Sequence, residues 1–250
     1  MELFLHIYLF VVGLVLGSFY NVVGIRTAEG RSIVTPRSHC GNCKRTLSAF
    51  ELIPVLSYVM QKGRCKGCGT KVSMRYPLFE LVTACLFTIS PLMVGWSKEL
   101  LIAFLLLSLL VIIVISDVHA MLIPNKVLLF FACVIIPVRF FIPMDPWWDP
   151  IAGSIVGFVL LLFIAIISKG GMGGGDIKLF AVLGLFLGLK GVLLTFFFAT
   201  FIGAFVGIVL VVLKKVKRKQ PIPFGPAISA GALITYFYGD VIWNMYIGMF

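Results

Sequence analysis

The sequence predicts an all-α, polytopic integral membrane protein with about eight transmembrane helices and a small cytoplasmic loop like a zinc ribbon. Of the 250 residues, 60% are hydrophobic and 12% are charged, with a mean hydropathy of +1.10. The surface of a soluble domain of this size would not accommodate such a composition. The apolar residues also fall into stretches near the length of about 20 residues that a helix needs to cross roughly 30 Å of hydrocarbon.

The apolar stretches give the order of the predicted spans. They cover approximately residues 3–23, 77–96, 100–116, 126–142, 151–168, 177–189, 191–213 and 227–246. The sixth stretch is short, and a turn around Gly188 and Lys190 separates it from the seventh. The first stretch resembles a secretion signal, but Glu2 precedes it and Arg26 follows it. This charge order is the reverse of a signal's, so we interpret the stretch as an uncleaved span with the N-terminus outside.

The positive charges predict the orientation. The net charge of +11 would suit a nucleic-acid binder, but the basic residues flank apolar spans instead of covering one face, so no nucleic acid is expected to bind directly. With the N-terminus outside, 18 of the 21 Lys and Arg residues fall in or beside the predicted cytoplasmic loops 24–76, 117–125, 169–176 and 214–226. The positive-inside rule therefore predicts a bacterial cytoplasmic-membrane protein with both termini outside. The basic run 214–219 is interpreted as an anchor that touches anionic lipid.

The first cytoplasmic loop contains two CxxC pairs, Cys40/Cys43 and Cys65/Cys68, separated by 21 residues. This spacing is close to that of zinc ribbons. Two disulfides are the alternative, although they are rare in a reducing compartment. Four thiolates leave no open position on a metal, so we predict one structural zinc ion that folds a loop too polar to form its own core.

Two aspartates lie at the predicted inner edge of the membrane. Asp117 ends the third span, and Asp176 opens the sixth span after the glycines Gly173, Gly174 and Gly175. Two close carboxylates in a poorly solvated site share one proton, and the pair can act as general acid and general base on a water, as in aspartic proteases. The glycines leave room for the backbone of a substrate to approach. Structural roles stay open, since Asp176 could cap its helix and Asp117 could be a solvated helix end.

Several motifs, in order along nearly the whole chain, resemble type IV prepilin peptidases, the bifunctional leader peptidases and N-methyltransferases of the A24 class. They are GSFYNVV at 17–23, the two CxxC pairs, RYPLFE at 75–80, IPN at 123–125 after an aspartate, and GGGDIKL at 173–179. The segment QPIPFGPAI at 220–228 and the compact length are most similar to the branch that processes pseudopilins for DNA-uptake competence.

The resemblance implies a function for each motif. Asp117 and Asp176, the latter in a GxGD pattern, correspond to the catalytic aspartates, and the four cysteines to the family's tetrad. Such enzymes cut the short leader of a prepilin or pseudopilin after a glycine on the cytoplasmic side. They then methylate the new N-terminal residue with S-adenosylmethionine, in type IV pilus, type II secretion or competence systems. We expect residues 1–76 to form the methyltransferase region and 77–250 the peptidase region.

The sequence gives less information on the cofactor site, because no strand followed by GxGxxG is present. Glu80 is a candidate for the group that accommodates the positive charge of S-adenosylmethionine. Gly63, Gly17 and Asn21 are candidates for the lining of the cofactor site. Each of these residues also has an easy role in a turn or in helix packing.

Two other functions fit parts of the sequence. In a cation or proton-coupled transporter, the two aspartates would bind the ion and the glycine run would mark a broken helix. Such transporters usually have related halves, and the cysteine loop has no counterpart later in the chain. A membrane scaffold with a zinc ribbon would leave both aspartates unexplained.

Overall fold

The computed structural model describes residues 2–169, 171–216 and 220–248, so Lys217, Arg218 and Lys219 of the predicted basic run lie outside the described residues. Regular structure in these ranges is helical, apart from the isolated bridges His39/Thr46 and Arg64/Lys71. A 3-10 turn covers Ala49–Leu52. The helices are α1 Glu2–Ala28, α2 Leu56–Met60, α3 Arg75–Val94, α4 Glu99–Ala120, α5 Asn125–Phe141, α6 Asp149–Ile167, α7 Gly174–Val212 and α8 Gly225–Ile247. The prediction of an all-α fold is confirmed.

Five described helices, α1, α3, α4, α6 and α7, are long and apolar enough to cross a membrane. The predicted count of eight spans is not confirmed. α5 has only 17 residues, and the predicted spans 177–189 and 191–213 are merged in α7, which has 39 residues. The predicted interruption between them is present, because Gly188 inside α7 has non-helical dihedral angles, φ 71° and ψ −177°.

The chain reverses its direction at Gly188. A Cβ atom built on Gly157 of α6 would lie 2.8 Å from the Phe180 carbonyl oxygen and 3.0 Å from Val192 Cγ2, so both arms of α7 pass beside the same residue. The carboxylate of Asp149 occupies the bend and accepts the Leu189 N–H at 3.2 Å. Positive φ is a conformation that glycine adopts at little steric cost. The two arms of α7 therefore form a helical hairpin, and its two ends lie at one end of the bundle.

Close glycine contacts pack the first arm of α7 against α6. A Cβ atom on Gly184 would approach the carbonyl carbon of Gly153 and the nitrogen of Ser154 to 2.2 Å. Backbone-to-backbone packing of this kind is typical of membrane helices, because small residues let the helices approach closely. α4 forms the centre of the bundle, with α1, α3, α5 and α8 packed around it. Its residues Ile102, Leu106 and Ile113 are completely buried.

The ends of the helices follow from local chemistry. α4 stops at Met121, which is left-handed and donates its N–H to the Asp117 carbonyl oxygen at 2.8 Å. Pro124 then precedes α5. α8 begins with Gly225 and has Pro226 in its first turn, where a missing N–H does no harm. These ends place Asp117, the IPN segment and the start of α8 next to one another.

Candidate active site and metal centre

The four cysteines of the loop between α1 and α3 converge on one point. The sulfur atoms of Cys40, Cys43, Cys65 and Cys68 all lie within 4.8 Å of one another, and none is in a disulfide. Four sulfurs at such distances surround a space that suits a tetrahedral zinc ion, with Zn–S bonds of about 2.3 Å. The residues present therefore fit the predicted metal, and the donor set of four thiols fits a structural site.

The two CxxC pairs have the same backbone geometry. The N–H of Cys40 bonds to the Arg45 carbonyl oxygen, and the N–H of Cys65 bonds to the Thr70 carbonyl oxygen, both at 2.9 Å. Each turn also has one residue with positive φ directly after its second cysteine, Lys44 at 59° and Gly69 at 71°. The repeated turn aims both thiols of each pair in the same direction, as a shared metal requires.

Hydrogen bonds prepare the thiols unequally for a metal. The Thr70 hydroxyl, and then its backbone, lower the pKa of Cys68 to about 5. For Cys43, a backbone hydrogen bond from Arg45 lowers the pKa, but burial and the neighbouring thiols outweigh it and raise the pKa to about 11. Four thiols that share one point without a cation cannot all ionise, whereas a bound dication favours the thiolate at every position.

An ion pair between the exposed Arg45 and the buried Glu51 stabilises the first CxxC turn. The guanidinium of Arg45 donates to both carboxylate oxygens of Glu51, at 2.6 and 3.0 Å. Glu51 also accepts the N–H and the hydroxyl of Ser48, each at 3.0 Å. The Arg45 guanidinium, followed by the Ser48 backbone, lowers the pKa of Glu51 to about 2. Glu51 therefore fixes the 3-10 turn against the cysteine cluster.

Asp117 is buried near the end of α4, with 6% of its surface exposed. Its Oδ2 atom accepts the backbone N–H of Gly225, the first residue of α8, at 2.6 Å. Asp117 is therefore not the solvated helix end that the sequence also allowed. The start of α8 holds its carboxylate in one position.

Asp176 lies in the first turn of α7 and is half-buried. Its carboxylate interacts with the backbone of Gly173, which precedes the helix, and electrostatically with Asp117. A carboxylate at the third helical position that reaches back to the N-cap is a common way to satisfy a free N–H at a helix start. The capping role and the proximity to Asp117 thus occur together. The two aspartates, 59 positions apart in the sequence, lie at the same end of the bundle and interact electrostatically.

The three glycines before Asp176 differ in their surroundings. A Cβ atom on Gly174 would meet no atom within 4 Å, so the space beside it is open. A Cβ atom on Gly175 would lie 2.8 Å from Cβ of Ile123, and one on Gly173 would lie 3.0 Å from Oδ2 of Asp176. Gly175 therefore permits close packing against the IPN segment, Gly173 makes room for the carboxylate, and Gly174 faces free space.

A cleft of about 710 Å³ separates the loop from the membrane helices α1 and α3. Asn21, Gly63 and Glu80 line it, so three of the four residues predicted for the cofactor lie around one space. Gly17 is not among the lining residues. A Cβ atom on Gly17 would lie 2.8 Å from Cα of Glu80, which places this glycine at the crossing of α1 and α3.

Two family models and several relatives match this chain. The model described as Bacterial Peptidase A24 N-terminal domain matches residues 11–94, and that of the Type IV leader peptidase family matches residues 104–208. The prepilin leader peptidase/N-methyltransferase of Bacillus subtilis (strain 168) is 48% identical over 241 residues, which are 96% of this chain and 97% of that protein. The protein of the same name from Aeromonas hydrophila is 34% identical and covers 96% of this chain and 93% of its own length. The one from Myxococcus xanthus is 38% identical over 82% of this chain and 62% of its own length.

The chain belongs to the prepilin leader peptidase/N-methyltransferase family. The resemblance predicted from the motifs is thus confirmed, and with it the prediction that the chain is an enzyme of this family and an integral membrane protein. No solved structure matches the chain. The division of the two activities at residue 76 remains a prediction.

Four residues at these sites were not predicted from sequence. They are Arg45, Ser48, Val55 and Gly225. Val55 donates its N–H to Glu80 Oε2 at 2.8 Å, and Gly225 holds Asp117. Both act through backbone N–H groups, which have no side-chain signature. The only signal for Gly225 is its position before Pro226 at the start of an apolar stretch, which is typical of a helix N-terminus.

Proposed function

We propose that this chain is a bifunctional aspartic endopeptidase and N-methyltransferase. It removes the short leader of a prepilin or pseudopilin after a glycine and then methylates the new N-terminal residue with S-adenosylmethionine. In this proposal the protein lies in the bacterial cytoplasmic membrane with its N- and C-termini outside. Cleavage takes place at the cytoplasmic face, where 18 of the 21 basic residues fall. The partners are the pilin substrate and membrane lipid, and no nucleic acid is bound directly.

The observation that supports the peptidase half is that Asp117 and Asp176 lie at the same end of the bundle. The two carboxylates come from different helices, interact electrostatically and lie where the glycine run leaves open space at Gly174. Two carboxylates so placed share one proton, since both cannot ionise in a poorly solvated site. The ionised member takes a proton from the attacking water while the protonated member donates to the peptide carbonyl oxygen.

The cleft supports the methyltransferase half. Its volume of about 710 Å³ lies within the range of roughly 300–1,000 Å³ that is usual for small-molecule sites. The carboxylate of Glu80 and the side-chain amide of Asn21 are polar groups at its membrane side. When bound there, S-adenosylmethionine would supply an electrophilic methyl group. The chain's own contribution would be to orient the new N-terminus as a neutral amine beside the bound cofactor and to exclude water.

The cysteine cluster supports a structural metal. Cys40, Cys43, Cys65 and Cys68 would hold one zinc ion, with no position left for water or substrate. The ion would fix the loop that forms one wall of the cleft, because Cys40 and Cys65 belong to both the cluster and the lining. In this assignment zinc serves the methyltransferase region through folding and does not take part in either reaction.

Mass spectrometry of the substrate tests both activities in one experiment. A prepilin or pseudopilin is incubated with the purified protein in detergent and in lipid, with and without S-adenosylmethionine. Cleavage after the leader glycine, with one added methyl group only when the cofactor is present, is the expected result. Asp117→Asn and Asp176→Asn should each abolish cleavage, whereas Asp240→Asn, at an exposed carboxylate near the end of α8, should not. If the wild-type protein leaves several substrates intact in lipid, the proposed peptidase is wrong, and ion transport becomes the next activity to measure.

A further inference from the structure

We propose that Gly225 is a positioning residue that makes the two aspartates unequal: its N–H keeps Asp117 ionised as the general base, so that Asp176 carries the shared proton. The proposal rests on the proposed peptidase function and deepens it, since a pair of aspartates alone does not specify which one is the base. It follows from the contact between α8 and α4 and from the space around Gly225.

The contact is a hydrogen bond from a helix N-terminus to a carboxylate. The N–H of Gly225 lies 2.6 Å from Oδ2 of Asp117, and both groups are buried. Gly225 is the first residue of α8, a helix of 23 residues. The first N–H groups of a helix have no partner within the helix and form its positive pole, so they favour an ionised acceptor. A short bond to a charged acceptor in a site with little water is also among the stronger hydrogen bonds.

Only glycine fits at this position without displacing the carboxylate. A Cβ atom on residue 225 would lie 2.8 Å from Oδ2, 3.0 Å from Cβ and 3.1 Å from Cγ of Asp117. Any other side chain would therefore push the Asp117 carboxylate away from the N–H. The missing side chain is required by the close approach of the two groups and not by backbone conformation, since Gly225 is not among the residues with positive φ.

Asp176 is in a different position. Its backbone contact comes from Gly173, the residue that precedes its own helix, and it also faces the charge of Asp117. Because the two carboxylates repel each other, the one that is held more strongly as an anion ionises first and leaves the proton on the other. The bond from α8 selects Asp117 as the anion.

Other ionisable groups on the elements around Asp117 have partners of their own or are exposed. Arg26 of α1 donates to the carbonyl oxygens of Ser32 and Ile33. Glu80 of α3 accepts the Val55 N–H, and His119 of α4 pairs with Glu29. On the remaining elements, Lys126 of α5 is exposed, Lys178 of α7 donates to Asn125, and α8 has no charged side chain between Gly225 and Gly239.

The assignment gives a balanced reaction. Asp117 accepts a proton from water as the water oxygen bonds to the carbonyl carbon, and Asp176 gives its proton to the carbonyl oxygen, which forms a gem-diol. Asp117 then passes its proton to the leaving nitrogen as the C–N bond breaks, and one gem-diol hydroxyl returns a proton to Asp176. The products are a carboxylic acid and an amine, and both aspartates regain their initial protonation states.

Carbodiimide labelling tests the assignment without reference to activity. A hydrophobic carbodiimide reacts with protonated carboxyl groups, and mass spectrometry locates the adduct. We expect about tenfold more label on Asp176 than on Asp117 in the wild-type protein at neutral pH, as one pKa unit of difference would give. Gly225→Ala should shift label from Asp176 to Asp117, whereas Gly239→Ala, where a Cβ atom would meet only ordinary contacts at 3.4 Å or more, should not. Wild-type label mainly on Asp117, or an unchanged ratio in Gly225→Ala, would overturn the proposal.

Two further variants keep the test decisive if Gly225→Ala does not fold. Asp117→Asn removes the charge that holds the proton on Asp176, so label on Asp176 should fall. Asp176→Asn should leave Asp117 ionised and unlabelled. The opposite pattern contradicts the proposal. In parallel, the acidic limb of the pH profile of cleavage should move up by about one unit in Gly225→Ala. If no variant and no wild-type protein cleaves the substrate but the labelling is as expected, the proposed peptidase is wrong and the role of the hydrogen bond stands. If the substrate is cleaved but the label ratio does not change in Gly225→Ala, only the present inference is wrong.

Discussion

Oε2 of Glu80 on α3 accepts the backbone N–H of Val55 at 2.8 Å, so a buried carboxylate of the membrane helices holds the loop that carries the cysteines. Val55 has φ 60° and ψ −51°, a conformation that costs a residue with a branched side chain of order 1–3 kcal/mol. The surrounding contacts must maintain it. Glu80 therefore acts on the cleft in two ways that can be separated, as an acceptor for the loop and as a negative charge.

Glu80→Ala should reduce methyl transfer roughly tenfold or more and leave leader cleavage unchanged. The change removes the acceptor of the Val55 N–H, and a hydrogen bond to a charged group contributes about 1.5–3 kcal/mol. The rate of methylation of a precleaved pilin, measured over a range of S-adenosylmethionine concentrations, checks this expectation. Glu80→Gln provides the matched control.

The Gln variant distinguishes the two roles of Glu80. Its amide oxygen can still accept the Val55 N–H, so near-normal methylation in Glu80→Gln assigns the residue to positioning of the loop. A loss in Glu80→Gln as large as that in Glu80→Ala assigns it to the charge. Full methylation in Glu80→Ala would contradict both roles.

Cys65→Ser should abolish the proposed zinc binding by the loop. The substitution replaces one of four converging thiols, and zinc content measured by elemental analysis of the purified protein should fall from about one ion per chain to near zero. Cys85→Ser, at an exposed cysteine of α3 that is outside the cluster, should keep its zinc. Equal zinc in Cys65→Ser and the wild-type protein would exclude the cysteine site.

The Arg45–Glu51 pair should make the loop resistant to acid. Because the pKa of Glu51 is lowered to about 2, compared with about 4.3 for a free side chain, the pair stabilises the fold fully above about pH 4.3. This stabilisation is lost as the pH falls from there to about 2. Limited proteolysis of the loop as a function of pH measures it. Glu51→Gln should be cleaved faster at pH 5–7, and its difference from the wild type should disappear near pH 2.

The acid test requires a control for metal loss, since protonation of the cysteines also releases zinc. Zinc content measured at each pH in both proteins separates metal loss from the contribution of the ion pair. A constant difference in cleavage rate between the two proteins from pH 7 to pH 2 would show that Glu51 does not act through its charge.

Gly184→Ala should destabilise the bundle by about 1–3 kcal/mol or more. The new Cβ atom would overlap the backbone of α6 at 2.2 Å, and a backbone contact cannot be relieved by a change of rotamer. Thermal unfolding in detergent measures the loss. Gly207→Ala, in the same helix but with its nearest atom 4.0 Å away, should be neutral or slightly stabilising because alanine favours the helix. Equal melting of the two variants would contradict the packing described for α6 and α7.

The features that could be predicted from sequence depend on the spacing of nearby residues or on the order of the apolar spans. The CxxC pairs place their thiols through short turns, so the cluster follows from the motif. Asp117 and Asp176 follow from the end of the membrane that each span reaches. Neither of these predictions requires knowledge of tertiary contacts.

The features that sequence could not predict depend on which backbone atoms meet. Gly225 gives no sign that its N–H faces Asp117, and Arg45 and Glu51 are six residues apart in an irregular segment. Gly17 shows the opposite problem, since a small residue in a span suits a ligand site and a helix crossing equally well. The count of eight spans is not confirmed, because five described helices are long and apolar enough to cross a membrane, but the turn at Gly188 that divides α7 into two arms was predicted from sequence.

Because α7 forms a hairpin, we expect the position of Asp176 relative to the membrane surface to depend on the thickness of the bilayer. Residues 174–187 form the first arm of α7, which carries Asp176 in its first turn and ends at the bend, and at 1.5 Å per residue this arm is about 21 Å long. The hydrocarbon core of a typical bilayer is about 30 Å thick. This hydrophobic mismatch is relieved by thinning of the surrounding bilayer or by adjustment of neighbouring elements, each at a modest cost per Å. In the proposed orientation, we expect short acyl chains to bring the aspartates level with the headgroups and with water, and long acyl chains to draw them below that level.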